Sequence, residues 1–315
     1  MEVISMPMWA WILFYALVIV MLYADLKLFG RKGQHEVSIS EALKMTVVWI
    51  GVSLIFCGGI GHFEGNNKAM EFLAGYLIEK SLSMDNLFVF LMLFSFFGVQ
   101  RKYQHEVLFW GIFGALVLRS IFIFAGAAMV QKFEWILGIF GVFLIYTGIK
   151  MFSHKDDESV DPSKNIFVKL FKKFFPVTDQ MHEDKFFIIE NGKRLATPLF
   201  IALLVIETTD VAFAVDSIPA VFSVSRDPFI VLTSNIFAIL GLRALYFALA
   251  AVAKYFKYLK YGLGIILSFV GVKMLLDLFG ICEVPTWMSL VVIFGILVLS
   301  MLASYAATLY SRKQQ

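Results

Sequence analysis

Two stretches of this 315-residue chain carry residue types that could do chemistry: Glu79-Lys-Ser-Leu-Ser-Met-Asp-Asn86 and Glu207-Thr-Thr-Asp-Val-Ala-Phe-Ala-Val-Asp-Ser217. Both lie inside long apolar runs, at a depth where a bilayer would surround them. They place five carboxylates, Glu79, Asp85, Glu207, Asp210 and Asp216, in hydrocarbon territory. Each charge at mid-membrane costs about 2.5–3.5 kcal/mol on insertion scales, so the set is costly unless water, a counter-charge or a bound cation offsets it. Internal ion pairs between helices would be one offset; a cation site is the reading preferred here. The candidate ligands are the five carboxylates with the Asn86 amide and the Ser217 hydroxyl. Such an all-oxygen set suits hard cations such as Mn²⁺, Mg²⁺ or Ca²⁺, whereas Zn²⁺ and Cu⁺ favour imidazole and thiolate.

Counter-charges are present at the same depth. Lys80, Arg119 and Arg243 stand within apolar runs, and for both arginines pairing with the acids is expected over direct contact with a transported ion. If all eight groups ionise and face one cavity, two negative charges remain, matching a divalent cation. Asp25, near the end of the first apolar run, reads equally as a helix-end charge or as part of an ion path. Lys150 and Lys273 sit near span ends, where long amphipathic side chains snorkel to the interface.

The elements that must position these groups are membrane helices. The chain is 60% hydrophobic and 16% charged, with 34 Phe. Apolar windows of about 20 residues mark spans. They fall at 8–28, 42–61, 69–98, 106–130, 133–152, 198–224, 228–253, 258–279 and 286–310. Nine helices are therefore expected. Lys and Arg gather in alternate connections, eight of them in 153–197 alone, which predicts an outside N-terminus and a cytoplasmic C-terminus. No basic stretch precedes the first run, so it is expected to be a retained helix, not a cleaved signal.

In an unbroken helix Glu79 and Asp85 do not share a face; Glu207 and Asp210 do, with Asp216 opposite. Either protein surrounds these helices on several sides or they unwind near the acids. Pro219 favours unwinding, because it offers no N–H to the carbonyl of Val215. Gly58-Gly59 and Gly138 with Gly141 read as close helix packing.

The chain also repeats itself. Glu79…Asp85-Asn86 aligns with Asp210…Asp216-Ser217, Leu118-Arg119 with Leu242-Arg243, and Gly148-Ile-Lys-Met with Gly271-Val-Lys-Met. Three spans per copy is an odd number, so the second copy enters the membrane inverted, as in many secondary transporters. The resulting layout is two N-terminal helices (1–61), a first three-helix repeat (62–152), a cytoplasmic linker (153–197), a second repeat (198–280) and a C-terminal helix (281–315). Within the linker, 163–175 reads as a basic amphipathic helix suited to the inner leaflet, and Asn191-Gly192 as a hairpin turn. Its acidic opening, 156–161, reads as solvated chain. Cys57 and Cys282 form neither a metal-ligand pair nor a disulfide framework.

Gly75-Tyr-Leu-Ile-Glu79-Lys-Ser-Leu-Ser-Met-Asp85-Asn86 and Glu207-Thr-Thr-Asp210-Val-Ala-Phe-Ala-Val-Asp216-Ser217-Ile-Pro219-Ala resemble the TerC family of integral membrane proteins, especially its Alx-like branch. The resemblance runs from Asp25 to about the eighth span. It implies a place in the LysE superfamily of transporters and a link to manganese export; other members take their name from tellurite resistance. It also implies that Glu79, Asp85, Glu207, Asp210 and Asp216 are the acids that matter. Mn²⁺ in preference to Mg²⁺ or Ca²⁺, and export in preference to import, come from the resemblance alone.

The resulting expectation is an inner-membrane exporter of Mn²⁺, with Mn²⁺ as cargo and no resident cofactor, and with no enzymatic activity. Its partners are the divalent cation, protons and the lipid bilayer, with no nucleic acid; oligomeric state stays open. Moving a divalent cation outward against an inside-negative potential costs about 4.6 kcal/mol per 100 mV. No nucleotide-binding loop is visible, so proton entry is the expected driver. A membrane-embedded scaffold acting through 153–197 is the first rival. A metalloenzyme is the second, disfavoured because no His ligand or nucleophile accompanies the acids.

Overall fold

The computed structural model describes residues 6–30, 39–133, 135–153, 165–178, 180, 182, 185–190, 192–252, 258–282 and 284–313; the side chains of some helical residues, Asp85 among them, lie outside that description. The architecture is helical. In order come α1 (Met8–Gly30), α2 (Ile39–Glu64), α3 (Asn66–Phe96), α4 (Arg101–Lys132), α5 (Ile136–Ser153) and α6 (Ile166–Phe174). A hairpin of β1 (Phe187–Glu190) and β2 (Lys193–Ala196) follows. Then come α7 (Pro198–Phe222), α8 (Pro228–Leu240), α9 (Leu242–Val252), α10 (Leu259–Leu278) and α11 (Thr286–Lys313).

Among the described residues six helices are long and apolar enough to cross a membrane: α1, α2, α4, α7, α10 and α11. The pair α8 and α9, bent by 41° at its break, makes a seventh if counted as one span. Nine were expected. Of the other two segments, α3 carries Glu79, Lys80 and Asp85 along its middle, and α5 is short. The protein is thus a multi-pass membrane protein with six to seven candidate spans.

Its centre is α8, whose thirteen residues are all buried. An aromatic cluster locks α8 against α1, α2 and α3. Trp11 meets Phe229 edge-on at 5.0 Å, and Phe237 lies 4.5 Å from Phe56 and 6.0 Å from Phe72. Such offset and edge contacts suit the ring quadrupoles. The outward faces of α1, α2 and α11 remain apolar: Ile19, Ile55 and Leu299 are all exposed, as lipid contact requires. The break between α8 and α9 falls at Gly241, where a Cβ would come 2.9 Å from Lys80 Nζ and 3.2 Å from Trp49 Cβ.

The expected unwinding near the acids does not occur. α3 is helical from Asn66 to Phe96 and α7 from Pro198 to Phe222, with Pro219 inside it. The reason is position: Pro219 sits in the last turn, so its missing N–H costs one bond beside a helix end. The other alternative holds, since protein meets α7 on several faces: α4, α5 and α3 all pack on it.

α5 and α10 lie along each other. A Cβ on Gly141 would be 3.0 Å from the Gly271 carbonyl oxygen, and one on Gly271 would be 2.5 Å from that of Gly141. Gly148 and Gly264 oppose each other likewise, at 2.6 and 2.8 Å. The pairing is antiparallel and reciprocal, because each earlier glycine of one helix meets the later glycine of the other. Small residues let the backbones approach this closely. Gly58 and Gly59 do not share that role, since a Cβ on either meets nothing within 4 Å. Gly271→Leu is therefore expected to destabilise the bundle by about 1–3 kcal/mol, the usual cost of overpacking. Gly58→Leu should leave it unchanged, and thermal denaturation in detergent compares the two.

α6 does not stand apart from the bundle. Asn165 caps it, accepting from the N–H groups of Phe167 and Val168, and its Nδ2 donates to Thr208 Oγ1 of α7 at 2.9 Å. Phe171 packs at a tilt against Phe200, with ring centroids 5.1 Å apart. The two contacts run in opposite chain order, so α6 returns along the first turns of α7. Val168 is buried there, while Ile166, Phe167, Leu170 and Phe174 are exposed. The hairpin pairs Phe187 with Ala196 and Glu190 with Lys193, turning at Gly192 with φ +74°. A positive φ of that size favours glycine.

Candidate functional site

α3, α4, α7 and α8 converge on one guanidinium. Arg119, on α4, is 1% exposed. Its Nε and Nη2 donate to Oδ2 and Oδ1 of Asp210 at 3.1 and 2.9 Å, a two-pronged pair that matches the planar fork. Its Nη1 donates to Glu79 Oε1, and more weakly to Ser217 Oγ at 3.2 Å and Asn235 Oδ1 at 3.4 Å. The second Glu79 oxygen accepts from Asn235 Nδ2 at 2.9 Å, and Ser83 Oγ donates to Oε1 at 3.2 Å. Helical geometry explains the convergence. Asp210 and Ser217 are seven residues apart and so share a face of α7, while Ser83 stands one turn beyond Glu79 on α3. Desolvated charges of this kind persist only when paired and hydrogen-bonded, and here Arg119, Glu79 and Asp210 are both.

The remaining acids are placed differently. Glu207 packs against Gly114 of α4, where the missing side chain leaves room for its carboxylate. Its Oε2 is buried and accepts no hydrogen bond from the described residues. Asp216 is half-buried and faces α5, with Thr147 Oγ1 donating at 3.5 Å. Asn86 is buried one residue beyond Asp85, whose side chain lies outside the described residues. Among the described residues no group of three or more His, Cys, Asp or Glu is arranged to hold a metal ion.

The other basic residues make separate contacts. Lys80 donates to the Ala238 carbonyl at 3.0 Å, across the α8–α9 break. Arg243 lies 2.8 Å from Asp25 Oδ2, donates to the Asp25 carbonyl at 2.5 Å, and stacks 5.9 Å from the Phe109 ring. Asp25 is thus buried against a counter-charge that ties α1 to α9. Lys150 is exposed, but Lys273 does not snorkel: it is 4% exposed. It lines a cavity at the C-terminal end of α10.

The structure therefore brings together Glu79, Asp210, Ser217 and Arg119, and leaves Glu207 against Gly114 of α4 and Asp216 facing α5. Sequence reading missed Asn235, which clamps Glu79 and touches Arg119. A signal for it existed, since it is the one carboxamide in α8, where Thr233-Ser234-Asn235 interrupts an apolar run. Chemically, the centre is a desolvated ion triad with one surplus negative charge, flanked by carboxylates that have few donors.

Residues 64–314 match the family described as integral membrane protein TerC family. The chain is 48% identical over 294 residues to an uncharacterized membrane protein of Myxococcus xanthus, covering 93% of this chain and 91% of that one. It is 47% identical over 308 residues to a protein of Escherichia coli K12 that bears the provisional name membrane-bound redox modulator Alx, covering 95% of each. A similarly named protein of Salmonella typhi is 46% identical over 309 residues, with 96% and 95% covered. No solved structure matches. With a family match over most of its length and relatives this similar end to end, the chain belongs to the TerC family of integral membrane proteins.

Proposed function

We propose that this protein exports divalent cations, Mn²⁺ in particular, across the bacterial inner membrane in exchange for protons. The observation that carries the proposal is the buried guanidinium of Arg119, held between Glu79 and Asp210, two carboxylates at repeat-related positions. Arg119 occupies the place between two acids that a cation would take. In the transport cycle Mn²⁺ competes with it, drawing on Glu79, Asp85, Asn86, Glu207, Asp210, Asp216 and Ser217 as oxygen ligands. Lys80 and Arg243 keep structural contacts, and Asp25, paired with Arg243, acts through α1 if it lies on the ion's path.

The proposed frame is nine spans, N-terminus outside and C-terminus cytoplasmic, with α3–α5 and α7–α10 as inverted repeats. The reciprocal antiparallel contact of α5 with α10 supports it, because a two-fold relation makes each half meet its counterpart's matching residue. The redox role in the name of the Alx relatives is compatible with a transporter whose cargo is itself redox-active.

Flux through purified protein in liposomes is the test. Mn²⁺ should move faster when a pH gradient drives protons the other way, and an entrapped dye should report that counter-flux. Equal Mn²⁺ flux with and without the gradient, and no proton movement, would make the protein a passive channel. Glu207 is the proposed proton carrier, since its buried Oε2 accepts no hydrogen bond from the described residues and the aligned residue of the first repeat is Tyr76. Glu207→Gln should therefore reduce the gain from the pH gradient more than it reduces Mn²⁺ binding.

The scaffold reading draws on the exposed Ile166, Phe174 and Ile189 of α6 and the hairpin. It predicts that deleting 153–197 harms function more than neutralising Asp216.

A further inference from the structure

A polar cavity of about 690 Å³ lies at the end of the bundle where α3 begins, α7 and α10 end and α11 starts. Six charged residues line it: Lys68, Glu71, Arg226, Asp227, Lys273 and Asp277. Three are bases and three are acids. Lys68 sits 3.1 Å from Glu71 and 3.2 Å from Asp227, and Ser225 Oγ donates to Glu71 at 2.6 Å. Among the described residues Asp277 accepts only a long bond, 3.4 Å, from the Val284 N–H.

Lys273 is the anomaly. It is 4% exposed, lines the cavity, and makes no hydrogen bond or ion pair to a described residue, although Asp277 and Glu71 are near enough to act on it electrostatically. Burying an ammonium without a partner is costly. Asp277 stands one helical turn beyond it on α10, so a short movement of the flexible lysine stem would bring the two together. A residue placed for core packing would not need a charge here, and one placed for a structural ion pair would be closed onto its acid.

We infer that this cavity is the release mouth for the exported cation and that Lys273 is its tethered counter-charge, competing with the cation for Asp277 and Glu71. The inference rests on the proposed export function and topology, which put this end outside. With Lys273 in place the six charges cancel, so an arriving cation meets three carboxylates but no net attraction. It therefore leaves, and external cation does not re-enter to block the path. Without Lys273 the cavity carries one surplus negative charge, and three carboxylates can retain a hydrated divalent cation.

The experiment is inhibition of Mn²⁺ export by external Mn²⁺ in liposomes, for the wild type, Lys273→Met and Lys273→Arg. Lys273→Met should lower the half-inhibitory external concentration by about tenfold, since a nearby like charge is removed in a site of reduced dielectric. Lys273→Arg should behave as the wild type. In detergent, electron paramagnetic resonance should count one more bound Mn²⁺ per chain for Lys273→Met, and adding Asp277→Asn should abolish the gain. If Lys273→Met exports Mn²⁺ with unchanged external inhibition and unchanged binding, the inference is wrong while export stands. If the wild type moves no Mn²⁺, the export reading itself fails. Should Lys273→Met not yield folded protein, Asp277→Asn carries the test: it leaves the Lys273 charge in excess and should raise the half-inhibitory concentration, and no change overturns the inference.

Discussion

Replacing Arg119 with methionine is expected to lower stability by about 3–5 kcal/mol, the usual cost of removing one partner from a buried ion pair. The loss is large because Arg119 serves two acids at once. Without it Glu79 and Asp210 face each other in a site closed to water, with Asn235 as the remaining strong donor to Glu79. Thermal denaturation of the purified protein in detergent measures the effect. Adding Glu79→Gln and Asp210→Asn to Arg119→Met should return much of the stability, because neutral partners no longer need the guanidinium. The same triple variant should transport no Mn²⁺. Arg119→Lys should fall between, since one ammonium cannot reproduce the two-pronged contact with Asp210 while also reaching Glu79. An Arg119→Met protein that melts like the wild type would remove the basis for regarding the triad as the bundle's central tie.

Asp216→Asn should have the opposite profile, with full loss of export and little loss of stability. The side chain is half-buried, and among the described residues its one hydrogen bond is the 3.5 Å bond from Thr147, which an asparagine carbonyl can also accept. Neutralising it removes a proposed cation ligand without stranding a buried partner. Asp85→Asn, its repeat-related counterpart, should match it. Cells made manganese-sensitive by loss of an exporter should be rescued by the wild type and by neither variant, at equal protein levels in the membrane. Full rescue by both would sink the metal-site reading. Paired with the Arg119 result, this experiment separates acids that hold the fold from acids proposed to hold the cargo.

Much of the architecture is legible along the chain because a bilayer leaves few choices. Backbone groups in hydrocarbon must be satisfied within the segment, so long apolar runs become helices. Each of the nine apolar windows accordingly coincides with a helix or, at 228–253, with the α8–α9 pair. What length and composition alone certify as spanning is fewer, because α3 trades apolar character for Glu79, Lys80 and Asp85. Family membership was legible for a related reason: the two acidic motifs are long, and charges in apolar runs are too costly to occur there by chance.

Helix continuity was not legible in the same way. Pro219 reads as a breaker from its chemistry, yet its effect depends on where the helix ends, and Phe222 closes α7 only three residues later. Faces were misleading too. Asp85 and Glu79, or Asp216 and Asp210, diverge around their helices, which suggested unwinding; packing of α3, α4, α5 and α8 around the motifs accommodates divergent groups without it.

The sequence by itself determined a multi-pass helical membrane protein of the TerC family, with five acids set in apolar runs and a small set of basic residues beside them. Only the tertiary structure decided which acid meets which base. Arg119 and Arg243 are equivalent in the repeat, and either could have served Glu79 and Asp210. The packing of α4 beside α7 delivers Arg119 to them, whereas the bend at Gly241 turns Arg243 toward Asp25. Lys150 and Lys273 are likewise equivalent, yet one is exposed and the other is buried in a charged cavity. The physical reason is common to both pairs. Sequence periodicity fixes the face of a helix on which a charge sits, but desolvation and Coulomb energy depend on what the neighbouring helix brings to that face, and that is a property of the assembled bundle.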